Sequence, residues 1–228
     1  MAIRKAAKLE DAKIPTEPAP PPEPTATDEQ RAQPDNPARR YPRGVQVLSS
    51  KINFRGPLFN VQTDQVREPG GKESRRDVVR HGGSIVILAV DETKSRRDPL
   101  IIIERQYRHA AGQYLFELPA GKLDPNEDPL KGAKRELLEE TGYRARRWTK
   151  LVRFFASPGF LGEWMQVYVA EELTAGEAQP EEDEMIKLSE MPLSELLRQI
   201  EGGKILDGKT IASVLLYDRI RKQRATRK

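Results

Sequence analysis

A helix with both ends specified lies between Gly121 and Tyr143, in the segment GKLDPNEDPLKGAKRELLEETGY. Asp128 is placed to cap it and Pro129 to open it, since a proline at the first helical position gives up no intrahelical hydrogen bond. The helix is expected to run to about Thr141 and to stop at Gly142, a residue suited to the left-handed turn beyond a C-terminus. Leu130, Ala133, Leu137 and Thr141 recur at helical spacing and form the stripe that faces a core. Glu136, Glu139 and Glu140 share a face at spacings of three and four. Three carboxylates there repel one another, and without a cation they cost the helix stability.

Around this helix the apolar pattern changes period. Ser84 to Val90 (SIVILAV) and Leu100 to Glu104 (LIIIE) are continuous apolar runs of buried-strand length, separated by the polar loop DETKSRRDP. Tyr114 to Leu118, Trp148 to Phe155 and Trp164 to Ala170 read as further strands. Leu193 to Ile200 is expected to form a short helix, and Ile211 to Ile220 begins the last one. Residues 43–80 look β-rich, with Val45/Val47 and Ile52/Phe54 alternating, a further strand within Leu58 to Val66, and turns at Gly56-Pro57 and Pro69-Gly70-Gly71. Alternating strands and helices joined by short loops indicate a layered α/β (α+β) domain.

The first 42 residues differ in kind. They hold half of the chain's 18 prolines, seven basic and seven acidic residues, and almost no large apolar side chain. Such a segment buries too little surface to offset its ordering entropy, and a disordered Pro-rich tail is expected. The domain plan is therefore tail (1–42), N-terminal β subdomain (43–80), main domain (81–220) and basic C-terminal tail (221–228).

Composition removes several chemistries. With no cysteine and two histidines among 228 residues, thiolate catalysis, disulfides and Cys-ligated zinc are excluded. Any cation has to be held by oxygen, which suits magnesium or manganese. No stretch has the apolar length of a membrane span, and the N-terminus lacks the apolar core of a secretory signal, so a cytoplasmic location is expected. The net charge of +4 comes from the six basic residues after position 218. That run lacks interleaved aromatics and reads as the solvated end of a helix rather than as a nucleic-acid contact.

The segment from Gly121 resembles the signature of the Nudix family, G-x5-E-x7-R-E-U-x-E-E-x-G-U with U apolar. Gly121, Glu127, Arg135, Glu136, Leu137, Glu139, Glu140, Gly142 and Tyr143 fill its positions. Outside it, Arg105-Gln106-Tyr107-Arg108 before Glu117-Leu118-Pro119-Ala120-Gly121 is similar to the ADP-ribose pyrophosphatase branch. So is Pro158, which stands 16 residues beyond Gly142. Glu181-Glu182-Asp183-Glu184, Gly203-Lys204-Ile205 and Asp207-Gly208-Lys209-Thr210 match the same branch.

The resemblance implies an α/β/α sandwich with a mixed sheet, and metal-assisted hydrolysis of a diphosphate with no side-chain nucleophile. It implies Glu136 and Glu140 as principal metal ligands, with the Ala120 carbonyl a further one and Glu139 assisting directly or through water. Glu127 would support the site, and Arg135 would orient the glutamates. Arg105 and Arg108 would hold the substrate diphosphate, Glu117 would hydrogen-bond the base or nearby backbone, and Pro158 marks the substrate loop. Glu181 or Glu182 would be the general base, with Glu163 a competitor. The implied substrate is a nucleoside diphosphate sugar, ADP-ribose first and ADP-glucose or GDP-mannose as alternatives. A non-catalytic ADP-ribose sensor is the alternative of another class. A homodimer joined through residues 43–80 is implied as well. Phe54 and Phe59, which an adenine could stack on, read individually as core-packing residues.

Overall fold

The structure, a computed structural model, describes residues 43–178 and 186–226. Residues 46–80 form a sheet of their own, in the order β1 (Gln46–Arg55), β2 (Asn60–Arg67), β3 (Glu73–Arg80). It has little apolar interior. Its centre is a polar knot in which buried Asp64 accepts from Ser50 (2.6 Å) and Gln62 (2.7 Å) and pairs with Arg80. β3 carries no apolar run and is defined by pairing along the whole of β2, from Asn60↔Arg80 to Arg67↔Glu73. Phe54 and Phe59 do not pack into a core as expected. They lie against each other with ring centroids 5.9 Å apart, 51% and 38% exposed, because three strands alone enclose no interior to receive them.

The chain then runs β4 (Ser84–Asp91), β5 (Leu100–Arg108), a 3-10 turn, β6 (Gln113–Glu117), β7 (Ala120–Lys122), α1 (Pro129–Thr141), β8 (Arg144–Phe155), β9 (Trp164–Thr174), β10 (Lys187–Pro192), α2 (Leu193–Glu201) and α3 (Gly208–Thr226). The second sheet is ordered β10-β5-β4-β9-β8, with β4 and β9 parallel and the other pairs antiparallel. β4 is buried on both faces, as its unbroken apolar sequence requires. Val86, Leu88 and Val90 pack with Leu193, Leu196 and Val214 of α2 and α3. Ile85, Ile87 and Ala89 pack with Ala133 and Leu137 of α1. Helices thus cover both faces, and each fully buried aliphatic side chain contributes roughly 1.5–3 kcal/mol.

One irregularity positions the site. β4 and β5 pair only at Val90↔Ile101 and Asp91↔Leu100, then part. The gap is filled by β6 on β5 and β7 on β4, with the Ile87 N–H donating to the Pro119 carbonyl between them (2.8 Å). The segment Glu117–Gly121 is thereby laid into the middle of the sheet. α3 continues to Thr226, so residues 221–226, expected as a tail, extend the last helix. Among the described residues no helix is long and apolar enough to cross a membrane.

Candidate active site

The ends of α1 follow their sequence signals. Asp128 Oδ1 accepts from the N–H groups of Leu130 (3.0 Å) and Lys131 (3.1 Å), and Pro129 opens the helix. Gly142 takes φ 72° and donates to Leu138 O. A Cβ on Gly142 would stand 2.6 Å from Ala178 N, so the position excludes a side chain on space as well as on conformation. Ala133, Leu137 and Thr141 are buried, with Leu130 packed beside them. Seating that stripe splits the acidic face. Glu140 turns inward and is 5% exposed, whereas the Glu139 side chain stays at the rim at 38%.

Arg135 gathers the rest. Its Nε and Nη2 each donate at 3.1 Å to Glu127, Nη1 donates to Glu139 (2.9 Å) and pairs with Glu136 (2.8 Å), and Nη2 also reaches the Lys122 carbonyl (3.2 Å). Glu127 in turn accepts from the Asp124 N–H (3.1 Å). The guanidinium is held charged by these carboxylates, Glu127 first, against the opposing effect of burial. A planar fork with five donors suits this task, and a lysine could not span it.

Two glutamates of the Gly121–Tyr143 signature box, Glu136 and Glu140, meet β7. A Cβ on Gly121 would fall 2.0 Å from the Glu136 carboxyl, so the glycine leaves room that the carboxylate fills. Glu140 Oε2 accepts from the Ala120 N–H at 3.1 Å. Gly121→Ala is therefore expected to displace a flexible side chain rather than backbone. Thermal stability should change by less than about 1 kcal/mol. Activity should fall about a hundredfold, the cost of misplacing a reacting constellation by an ångström. Melting curves and turnover on one preparation check this, and unchanged turnover would show that the seat of Glu136 is not critical.

Beyond the box, β5 and β6 bring two more buried acids alongside. Glu104 and Glu117 are register partners, 3% and 2% exposed. Glu117 is neutralised by Arg108, whose Nε and Nη2 donate to its two oxygens at 2.9 Å, and by Lys209, which it contacts closely. Burial pushes the Glu117 carboxyl up, but the two cations outweigh it and hold the group below its ordinary value. Lys209 also pairs with Asp207 (3.1 Å), which accepts from Thr210 N at 2.9 Å as the cap of α3. Glu104 lies within hydrogen-bonding reach of Glu140. Burial pushes its carboxyl up to about 7, against the contrary pull of Glu140 and Lys209.

The remaining expected residues scatter. Arg105 stands three positions from Arg108 and so takes the opposite face of β5, with Ile101 and Ile103 toward the α2–α3 layer. There it stacks 4.2 Å over the Tyr114 ring and does not join Arg108. Pro158 sits exposed in the β8–β9 loop, which docks on β3 through Val79 N–Phe160 O (2.7 Å) and Gly162 N–Val79 O (2.9 Å). Glu163 accepts from Ser84 Oγ (2.6 Å) and lies 3.8 Å from His81. Glu181 and Glu182 lie outside the described residues. Among the described residues Glu117 is engaged by two cations, Arg108 and Lys209, rather than by a backbone partner.

Every donor here is a carboxylate or backbone oxygen, the set that suits a hard divalent cation. Glu104 Oε1 is buried with no hydrogen-bond partner among the described residues, which leaves an acceptor oxygen open beside Glu140. These residues therefore fit such an ion by chemistry. Among the described residues no three carboxylates already surround one point, Arg135 drawing Glu136 and Glu139 toward itself.

Residues 80–213 match the family model described as NUDIX domain. An ADP-ribose pyrophosphatase of Bacillus subtilis (strain 168) is 39% identical over 171 residues, 74% of this chain and 89% of that protein. A GDP-mannose pyrophosphatase of Escherichia coli O1:K1 / APEC is 33% identical over 165 residues, 68% of this chain and 83% of that one. The crystal structure of an ADP compounds hydrolase matches with a TM-score of 0.66 at 21% identity, covering 81% of this chain and 98% of its own, a likeness of fold.

Proposed function

This chain belongs to the Nudix family, and we propose that it hydrolyses ADP-ribose to AMP and ribose 5-phosphate with a divalent cation, magnesium or in its place manganese. The observation that carries this is the seating of Glu136 against Gly121 and of Glu140 on the Ala120 N–H, two carboxylates brought to one short strand. The name of the Bacillus subtilis relative supports ADP-ribose as the substrate.

Glu136, Glu140 and the Ala120 carbonyl would hold the cation, with Glu139 at the rim. Bound there, it would offset diphosphate charge and make a water acidic enough to attack at neutral pH. The protein's own part is orientation. Arg135 keeps Glu136 and Glu139 from swinging into solvent. Glu117 holds Arg108 by Nε and Nη2, which leaves the Nη1 edge for a phosphate oxygen. Glu181 or Glu182 takes the proton of the attacking water, whose oxygen bonds to phosphorus as the bridging P–O bond breaks. Arg105, on the other face, contributes to substrate only in an assembly that brings a second molecule to it.

That assembly is a homodimer in our reading, with residues 43–80 as its element and 1–42 as an appended tail. Ile52, Phe54, Leu58 and Phe59 are exposed on the small sheet, and burying them needs a partner surface. A cytoplasmic location accords with a nucleotide-sugar substrate, and cell fractionation tests it.

Incubation with Mg²⁺ and a panel of ADP-ribose, ADP-glucose, GDP-mannose and NADH, with products resolved by chromatography, tests the activity. Sedimentation of the same preparation reports one chain or two. AMP and ribose 5-phosphate formed fastest from ADP-ribose is the expected result. Faster cleavage of GDP-mannose would favour the second reading, which the 33% identical Escherichia coli relative supports. Binding of ADP-ribose without turnover would replace hydrolysis by sensing.

A further inference from the structure

Glu104 is a carboxylate that the box does not account for. It ends the apolar run of β5 and is 3% exposed. Ile102, two residues earlier, packs into the α1 layer, and strand alternation puts Glu104 on the same face. There it lies within hydrogen-bonding reach of Glu140, and its Oε1 has no hydrogen-bond partner among the described residues. The nearby cations are already taken, Arg108 by Glu117 and Lys209 by Glu117 and Asp207. A buried carboxylate with an unpaired oxygen is costly. Packing alone would be served better by the apolar residues that precede it. The cost is offset if the group faces a cation.

We propose that Glu104 is a further member of the cation site, a positioning residue contributed by β5 that braces Glu140 from behind and adds negative charge to the donor set. The inference rests on the functional reading above. It extends the site from one helix to the neighbouring strand, and ties the cation's seat to the splay of β4 and β5 that admits Glu117–Gly121.

The test is Glu104→Gln, which keeps shape and removes charge, with Mn²⁺ alone as the probe. Calorimetric titration should give a dissociation constant about tenfold or more above that of the unaltered protein, the usual effect of losing a group that orients a ligand. The metal-free melting temperature should hold or rise, because a buried charge has gone. A purely structural Glu104 predicts the reverse, a lower metal-free melting temperature with Mn²⁺ affinity within twofold, and that result overturns the proposal. Should Glu104→Gln fail to fold, Glu104→Val fills the position without polar atoms, and the same comparison of affinities decides. If the unaltered protein binds no Mn²⁺, the functional reading falls together with this one. If it binds and the variant binds equally, only the role of Glu104 falls.

Discussion

Glu140→Gln is expected to lower turnover of the preferred nucleoside diphosphate sugar at least a hundredfold while the protein stays folded. Glu140 is the innermost acid of α1, fixed by the Ala120 N–H and set against Glu104. Glutamine keeps the oxygen that accepts from Ala120 and loses the charge. A hundredfold is about 2.7 kcal/mol of transition-state stabilisation, within reach of one ligand to a catalytic cation. Stability should move the other way. The glutamine amide can still donate to Glu104 and removes a charge that burial disfavours, so the metal-free melting temperature should not drop. The same variant should bind Mn²⁺ more weakly, since one anionic donor is gone. Turnover with saturating Mg²⁺, set beside a melting curve, separates catalysis from folding. Near-normal turnover in a well-folded variant would remove Glu140 from the ligand set, and the chemistry would have to be rebuilt around Glu136.

What the sequence discloses and what it hides follow from how local each signal is. α1 is legible because its cap, its proline and its terminal glycine act within a few residues, and all three behave as their chemistry dictates. β4 is legible because burial on both faces leaves an unbroken apolar run. β3 is not, because its side chains are mostly charged and only its pairing with β2 makes it a strand. The box residues are legible as a group, yet their shared acidic face is not one environment: seating Leu137 and Thr141 buries Glu140 and leaves Glu139 at the rim. Glu104 and Lys209 escape for another reason. Each is a single charged residue whose significance depends on a register across the sheet, Glu104↔Glu117, or on the start of a helix 92 residues from Glu117. One signal was available. Glu104 stands at the end of LIIIE with the parity of Ile102, and that parity places an acid inside. Arg105 fails as a companion of Arg108 by the same parity rule.

Glu117→Gln is expected to cost about 2–4 kcal/mol of folding stability at neutral pH, out of roughly 5–15 for an average domain. Glu117 neutralises Lys209, whose side chain is 9% exposed, and receives both hydrogen bonds from Arg108. Removing the acid leaves Lys209 inside with Asp207 alone, and uncompensated buried charge is what makes such deletions costly. Arg108, 41% exposed, reaches water and adds less. The melting temperature should fall by about 5–15 °C. The sign of the pH dependence follows from the carboxyl's position. Burial pushes it up, but Arg108 and Lys209 prevail, and it sits below the ordinary 4.5 when folded. A depressed carboxyl contributes all of its stability above the unfolded value and loses it as pH falls through the folded one. The gap between the unaltered protein and Glu117→Gln should therefore be full at pH 7 and shrink below pH 4.5. Lys209→Met combined with Glu117→Gln should recover much of the loss, since removing both partners leaves no orphaned charge. Denaturant unfolding of the three proteins at pH 7 and in acid measures these terms. A gap that held constant into acid would mean that the acid matters here for its shape, and that Arg108 owes its position to something other than the charge of Glu117.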